Sequence, residues 1–255
     1  MKKILVIGDS CKDVYHYGEC NRLSPEAPVP VFKETKQVLK SGMSLNVVEN
    51  LMAFGHNVVH ITNTEKITKH RFVDKRFKQH LLRVDRGEDS EIQKIDLKQI
   101  EKHIDVEAVV ISDYNKGFLN AVDCKKICTF FKSLNIPIFV DSKKKELDCF
   151  FNCWLKINEK EYNNAKSLPN NSDILITLGA RGVIYRNKIY PTDSVEVFDV
   201  CGAGDVFLSA FVNFYLNGKK IQNSIMLANK LATLSVTKFG TYVLTKQDIK
   251  NDLCF

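Results

Sequence analysis

The sequence predicts an α/β fold in which helices cover a mainly parallel sheet, with a small β flap beside it. Strand and helix patterns alternate along most of the 255 residues, and such alternation is typical of parallel sheets. The strand patterns are continuous apolar runs, which indicate strands buried on both faces. Two stretches, at about 13–38 and 69–86, interrupt this alternation and indicate extended chain outside the main sheet.

The elements can be justified in chain order from their patterns. Continuous apolar runs predict buried strands at 4–7, 58–61, 108–111, 136–140 and 174–178. Helical periodicity predicts helices at 45–54, 97–103, 123–134, 159–166, 205–216 and 221–237. We therefore expect a single domain, 1–255, whose flap covers a substrate and excludes water. A surface hairpin without a function has nearly the same pattern.

Composition bears on the possible partners. The net charge is +7, with 37 basic residues scattered among 30 acids, and small anionic ligands explain it as well as nucleic acid does. We expect no nucleic-acid partner, and a nucleic-acid binder stays an alternative that rests on charge alone. No apolar run approaches the roughly 20 residues of a membrane span, and the first apolar run is too short for a signal peptide. We expect a cytoplasmic protein without a membrane partner.

Eight cysteines in such a chain indicate free thiols rather than disulfides. The pairs Cys124/Cys128 and Cys149/Cys153 each have a four-residue spacing that suits one helix face. Since the sequence has no compact Cys/His cluster to complete a zinc site, we expect buried thiols and no metal there.

The segment 199–205 (DVCGAGD) is the most informative part of the chain. Val195 and Val197 alternate before it and an apolar run follows, which predicts a strand, a glycine turn and a helix start. The free N–H groups of a helix start attract anions. Asp205 would repel a bound phosphate, so we interpret it as a base with the low pKa of a first-turn acid. An ordinary helix with an acidic first turn is the alternative.

Four segments together resemble the ribokinase-like (PfkB-type) carbohydrate kinases, which implies a three-layer α/β sandwich with a β lid. They are 158–161 (NEKE), 177–182 (TLGARG), 199–205 (DVCGAGD) and Ala228-Asn229 with 238–241 (KFGT). The N-terminal half is similar to the heptose 7-phosphate kinases of the lipopolysaccharide-precursor pathway. That similarity lies in Gly8-Asp9 with Asp13 and Tyr15, 21–31 (NRLSPEAPVPV), 69–71 (KHR), 79–85 (QHLLRVD), 112–117 (SDYNKG) and 141–143 (DSK).

Three features depart from that family. Ser41-Gly42 replaces a glycine pair, so a hydroxyl is expected where backbone normally approaches the sugar. The stretch 63–68 is short, which could trim one edge of the sheet. No nucleotidyltransferase H-x-G-H pattern follows the kinase part, so we do not expect the two-domain bifunctional form.

The resemblance implies a role for each matching residue. Asp205 is the expected general base, and the N–H groups of Gly202, Ala203 and Gly204 would face the transferred phosphoryl group. The residues expected to bind the phosphosugar are Asp13, Gly42, Asn46, Lys69, Arg71, Arg83, Asp113 and Lys116. Those expected to bind ATP are Lys143, Asn158, Glu161, Thr177, Gly179, Gly182, Asn229 and Gly240. Glu161 would bind Mg²⁺ through water, and the resemblance also allows a monovalent cation.

Taken alone, most of these residues also have structural explanations. The NEKE segment suits an acidic helix start, and the flap cations suit a solvated strand. The resemblance implies ATP-dependent phosphorylation of the anomeric hydroxyl of D-glycero-D-manno-heptose 7-phosphate, in a homodimer formed through the flap. A kinase for another phosphosugar or a nucleoside, or a silent sugar- or nucleotide-binding relative, is the alternative.

Overall fold

The computed structural model describes residues 1–88 and 92–253, with no side chains beyond residue 250. Its strands are β1 (Lys3–Gly8), β2 (Ser10–Leu23), β3 (Pro30–Met43), β4 (Asn57–Ile61), β5 (Thr68–Asp74), β6 (His80–Arg86), β7 (Ala108–Asp113), β8 (Ile138–Ser142), β9 (Trp154–Asn158), β10 (Asp173–Thr177), β11 (Val183–Tyr185) and β12 (Lys188–Tyr190). Its helices are α1 (Ser44–Ala53), α2 (Leu97–Ile100), α3 (Ala121–Ser133), α4 (Glu159–Asn164), α5 (Ala203–Leu216), α6 (Ile221–Val236) and α7 (Lys246–Leu253).

The main sheet has eight strands in the order β12-β11-β10-β9-β8-β7-β1-β4. The six strands from β10 to β4 are parallel, and β11 and β12 add an antiparallel edge. Because parallel strands end at the same edge, the polar residues that follow β1, β7, β8, β9 and β10 gather there. That edge positions the candidate site.

Two apolar cores lie on opposite faces of this sheet. One contains Phe131 of α3 and Leu155 of β9. The other contains Leu51 of α1, Phe211 of α5 and Ile225 of α6. Helices on both faces of a mainly parallel sheet make a three-layer sandwich, so the predicted fold class is confirmed.

The flap is a separate four-stranded sheet in the order β3-β2-β5-β6. Strand β2 begins two residues after β1, and β3 ends just before α1, so the flap rises from the carboxyl edge of the main sheet. The extended stretch predicted at about 69–86 corresponds to β5 and β6, which pair antiparallel. The short connection at 63–68 follows β4, which is the edge strand of the main sheet.

Some local predictions were wrong. Residues 191–198 form no strand, and Val197 is half exposed, because this segment crosses the surface before α5. The strand β9 was missed, since its run is short and contains Lys156. The predicted helix at 97–103 is only one turn long. Cys149 and Cys153 lie in a loop rather than on a helix.

The cysteines, the potential metal ligands and the helix lengths of the described residues are as follows. The seven described cysteines are free thiols, five of them buried, and Cys254 lies outside the described residues. Within the part of the chain that the structure describes, no group of three potential metal-binding side chains is found. None of the described helices is both long enough and apolar enough to span a bilayer.

We expect Phe211→Ala to lower the free energy of unfolding by about 3–5 kcal/mol, because it empties a site in the α5 core. The Phe211 ring packs edge-on against Phe139 and Trp154 and is 1% exposed. Phe77→Ala is the control, since Phe77 is 75% exposed and should change stability by only about 0.5 kcal/mol. Urea unfolding measures both, and equal losses would contradict the assignment of the core.

Candidate active site

The glycine turn before α5 places a helix N-terminus at the carboxyl edge of the main sheet. Gly202 has φ 81°, which favours glycine, and a Cβ there would lie 2.7 Å from the Asn46 amide nitrogen. The N–H of Ala203 donates to the Val200 carbonyl at 3.3 Å. Among the described residues, no acceptor pairs with the N–H groups of Gly202 and Gly204. Two of the three predicted amides are therefore available to an anion.

Asp205 lies in the first turn of α5 and is 2% exposed. Its carboxylate accepts hydrogen bonds from the Asn46 side-chain amide and from the Tyr114 hydroxyl, both at 2.9 Å. Burial raises the pKa of Asp205 to about 6, although these two hydrogen bonds oppose the shift. The low pKa expected from its helix position was wrong, because desolvation outweighs the helix start.

Ion pairs, of which the Lys156–Asp141 pair is buried, line the same cavity as this carboxylate. Lys156 Nζ lies 2.7 Å from Asp141 Oδ2, and Lys143 Nζ lies 3.0 Å from Asp141 Oδ1 and 2.7 Å from Glu161 Oε1. Burial opposes ionisation of Asp141, yet the two ammonium groups lower its pKa to about 2. A Cβ on Gly204 would lie 2.5 Å from Lys156 Nζ, so glycine lets the helix start approach that ammonium group.

Two cavities meet at the start of α5. The first, of about 300 Å³, is lined by Asp205, Asp141, Lys143 and Lys156 together with Tyr114 and Asn158. The second, of about 220 Å³, is largely apolar and is lined by residues of the 192–197 segment, α5 and α6. Both cavities share Thr177, Gly179, Val200 and Gly204. A polar compartment thus adjoins an apolar one, as a ligand with a charged end and an apolar end requires.

Most residues predicted to bind ATP lie around these cavities. Gly182 and Asn229 line the second, and the Asn229 amide donates to the Tyr190 carbonyl at 3.0 Å. Asn158 and Glu161 form a capping box at the start of α4, so the structural explanation also applies to them. Gly240 is not among the residues that line either cavity. It packs against Tyr15 of the flap, where a Cβ would lie 2.8 Å from the ring.

The residues predicted to bind the phosphosugar pair with one another or with nearby acids. Asp13 and Arg71 form a buried ion pair in the flap, and burial raises the pKa of Asp13 despite this partner. Glu88 contacts both Lys69, at 3.6 Å, and Lys116. Arg83 pairs with Asp85 at 2.6 Å.

Three further positions on the phosphosugar side differ in their surroundings. Gly42 lies against Asp13, and a Cβ there would be 2.6 Å from that carboxylate. The hydroxyl of Ser41 donates to Glu49 of α1, so it is directed at the helix and not at Asp13. Asp113 is fully buried and accepts a hydrogen bond from Ser142 at 2.7 Å.

Sequence reasoning assigned no role to several residues of the site. Lys156 was overlooked because its strand was missed. Tyr114 and Asp141 belong to segments that resemble the heptose kinases, but the sequence analysis gave neither of them a role. Asp9 accepts hydrogen bonds from the N–H groups of Tyr114, Lys116 and Phe118. It thereby holds the loop that carries Tyr114. A lysine inside an apolar run is a signal that could have identified Lys156.

Comparison with solved structures identifies the type of fold. The fold matches Escherichia coli phosphofructokinase-2 in complex with substrates and products, with a TM-score of 0.76, 13% identity and 98% of both chains covered. It also matches Arabidopsis thaliana ribokinase complexed with ribose and ATP, with a TM-score of 0.71, 14% identity and coverage of 100% of this chain and 99% of that one. The fold is thus ribokinase-like.

Sequence comparison gives the family. The model of the pfkB family of carbohydrate kinases matches residues 55–248. The bifunctional protein HldE of Campylobacter jejuni subsp. doylei is 31% identical over 98% of this chain, and that of Campylobacter concisus is 30% identical over 97%. This chain belongs to the pfkB family and is a carbohydrate kinase, as predicted. It spans 64% of the length of these two relatives.

We expect the Asp205 carboxyl to titrate near its pKa of about 6, so that it is protonated below that pH and ionised above it. Tyr114→Phe removes a donor that stabilises the ionised form, and should raise that pKa further. Carbon-13 NMR of labelled aspartate, assigned with Asp205→Asn, measures this. Tyr162→Phe, which changes a tyrosine outside the site, should leave the titration unchanged. A carboxyl that titrates near pH 4 in the wild type would contradict the burial argument.

Proposed function

We propose that this carbohydrate kinase transfers the terminal phosphoryl group of ATP to the anomeric hydroxyl of D-glycero-D-manno-heptose 7-phosphate, giving the 1,7-bisphosphate. The observation that carries the proposal is the buried Asp205 carboxylate beside free helix-start amides and the Lys156 ammonium group. The choice of heptose rests on the N-terminal segments that resemble heptose 7-phosphate kinases, and on the similarity to HldE proteins.

The two adjoining cavities suit ATP. Its adenine and ribose would occupy the apolar cavity near Gly182 and Asn229, and its phosphates the polar cavity. The N–H groups of Gly202 and Gly204 would then face the terminal phosphate, with Lys156 and Lys143 close to its oxygens. Fixed donors of this kind stabilise the charge that develops during phosphoryl transfer, without reorganising at that moment.

Asp205 supplies the base in this scheme. Its carboxylate would accept the proton of the sugar hydroxyl as the hydroxyl oxygen bonds to the terminal phosphorus and the bond to the ADP oxygen breaks. The amide of Asn46 and the hydroxyl of Tyr114 keep the carboxylate oriented. Since the pKa of Asp205 is about 6, the group is ionised at neutral pH, yet basic enough to accept the proton.

The phosphosugar would lie between this carboxylate and the flap. Asp13 would accept hydrogen bonds from sugar hydroxyls, and Lys69, Arg71, Arg83 and Lys116 would attract the sugar phosphate. Each of these cations already has a carboxylate partner, so binding of the phosphate requires some of these pairs to open. Asn46 would orient the Asp205 carboxylate through its hydrogen bond, and it would also bind a hydroxyl of the sugar.

The acids near the polar cavity suit Mg²⁺, an ion that prefers oxygen ligands and retains several waters. Glu161 would hold such a hydrated ion, and its carboxylate now pairs with Lys143 at 2.7 Å. When bound, Mg²⁺ neutralises charge on the ATP phosphates. The protein's own contribution is to keep Glu161 in place through the capping box.

We also propose a cytoplasmic homodimer formed through the flap. Leu39 and Leu82 are 61% and 57% exposed. They lie on the same face of the flap sheet as their paired neighbours Val14 and Phe72. Exposed apolar side chains on a sheet face favour association with a second copy.

We expect Asp205→Asn to bind ATP about as well as the wild type but to lose roughly 100-fold or more in kcat, because the amide cannot accept the proton. Calorimetry with ATP and a coupled assay for ADP, run over a panel of phosphosugars, measure both quantities. Asp105→Asn, at an exposed site paired with Lys3, is the control and should keep full activity. Normal turnover by Asp205→Asn would disprove the role of the base. Activity on another sugar but none on the heptose would disprove the substrate alone.

Glu161→Gln tests the proposed metal position. Glutamine can still accept the hydrogen bond from the Asn158 N–H, so we expect α4 to stay folded while the charge is lost. The Mg²⁺ concentration that gives half-maximal rate should rise several-fold. Glu159→Gln, in the same helical turn but paired with Arg181, is the control and should leave this Mg²⁺ concentration unchanged. Equal changes in both variants would contradict the assignment.

A further inference from the structure

The side chain of Lys40 links the flap to the main body of the protein. Lys40 belongs to β3, and its Nζ donates to the backbone carbonyls of Phe239 and Thr241 at 2.7 and 2.9 Å. These residues are in the segment between α6 and α7. Carbonyl oxygens that converge on a cation hold it as they would hold a bound ion, by replacing its hydration shell.

The surroundings of this ammonium group are built to receive it. Nζ lies 5.4 Å from the centre of the Tyr15 ring, whose hydroxyl accepts a hydrogen bond from the Thr241 N–H at 3.1 Å. Gly240 has φ 74°, and a Cβ there would lie 2.9 Å from Nζ. The glycine between the two carbonyls therefore lets the chain fold around the Lys40 side chain.

This contact continues to the start of α5 through Asp199. The Gly240 N–H donates to one carboxylate oxygen of Asp199 at 3.0 Å, and the Cys201 N–H donates to the other at 2.9 Å. Cys201 is followed directly by Gly202, the N-cap of α5, whose turn carries Asp205. A shift of the 239–241 segment would thus move the helix start that faces the proposed phosphate position.

We propose that Lys40 is a positioning residue for phosphoryl transfer, acting as a built-in cation. Its ammonium group fixes the 239–241 segment when the flap is seated on it, and this segment fixes the N-terminal turn of α5 through Asp199. A protein with this internal ammonium group needs no free monovalent cation at the same carbonyls. The inference rests on the proposed function for its kinetic consequences, but not for the cation site itself.

Lys40→Ala and Lys40→Met distinguish a cation site from simple packing. Alanine removes the charge and leaves a space between the two carbonyls, which ammonium or methylammonium can enter. Methionine also removes the charge but fills most of that space. Lys36→Ala, at an exposed position of the same strand, is the control for loss of a flap lysine. Two comparison cations are used at constant ionic strength. Tetramethylammonium is too large to enter the space, and sodium binds carbonyl sites differently from ammonium.

Thermal unfolding tests the site without reference to catalysis. Lys40→Ala should unfold at a lower temperature than the wild type, and ammonium or methylammonium should restore part of the difference. The wild type, Lys40→Met and Lys36→Ala should respond to these ions no more than to tetramethylammonium. An equal response by all four proteins would overturn the proposal of a built-in cation, whether or not the protein phosphorylates a heptose.

Steady-state kinetics test the positioning role on whichever sugar the panel identifies. Lys40→Ala should lose roughly 10- to 100-fold in kcat, the scale of a small misplacement of reacting groups, with KM for ATP nearly unchanged. Ammonium should restore part of kcat in Lys40→Ala and none in Lys40→Met. The positioning role of Lys40 would be overturned by a normal kcat in Lys40→Met, or by wild-type protein that potassium activates several-fold. Absence of turnover in every protein, including the wild type, would instead contradict the proposed function.

Discussion

The rest of the site depends on the burial of one carboxylate at the start of α5. Asp205 is kept oriented by Asn46, from the helix α1 that follows β3, and by Tyr114, from the loop after β7. Removing a carboxylate from water opposes its ionisation, and two donors only partly offset that cost. The same burial that makes the group costly to fold raises its pKa towards neutrality, as the proposed role of a base requires.

The neighbouring charges give the two buried acids, Asp141 and Asp205, different pKa values. Asp141 is also buried, but Lys143 and Lys156 keep it ionised well below neutral pH, so it can only hold the ammonium groups in place. Asp205 has no such direct ion pair among the described contacts, and its pKa rises instead. Two carboxylates in one cavity thus differ in chemistry because their partners differ.

The flap and the helix start form one connected unit. Strand β2 contributes Tyr15, β3 contributes Lys40 and β6 contributes His80, and all three reach the 239–241 segment or Asp199. The flap therefore rests on the turn that would receive the nucleotide's terminal phosphate. Coupling of this kind is expected where binding of a sugar must exclude water before transfer begins.

The sequence alone was enough to determine most of the alternation of strands and helices, the flap and the glycine turn before Asp205. Those features follow from local periodicity and from glycine, which act over a few residues. Only the tertiary structure decided that the pKa of Asp205 is raised, that Lys156 completes the site, and that Gly240 packs against Lys40. Desolvation and ion pairing depend on groups distant in the chain, and no local pattern records which of them meet.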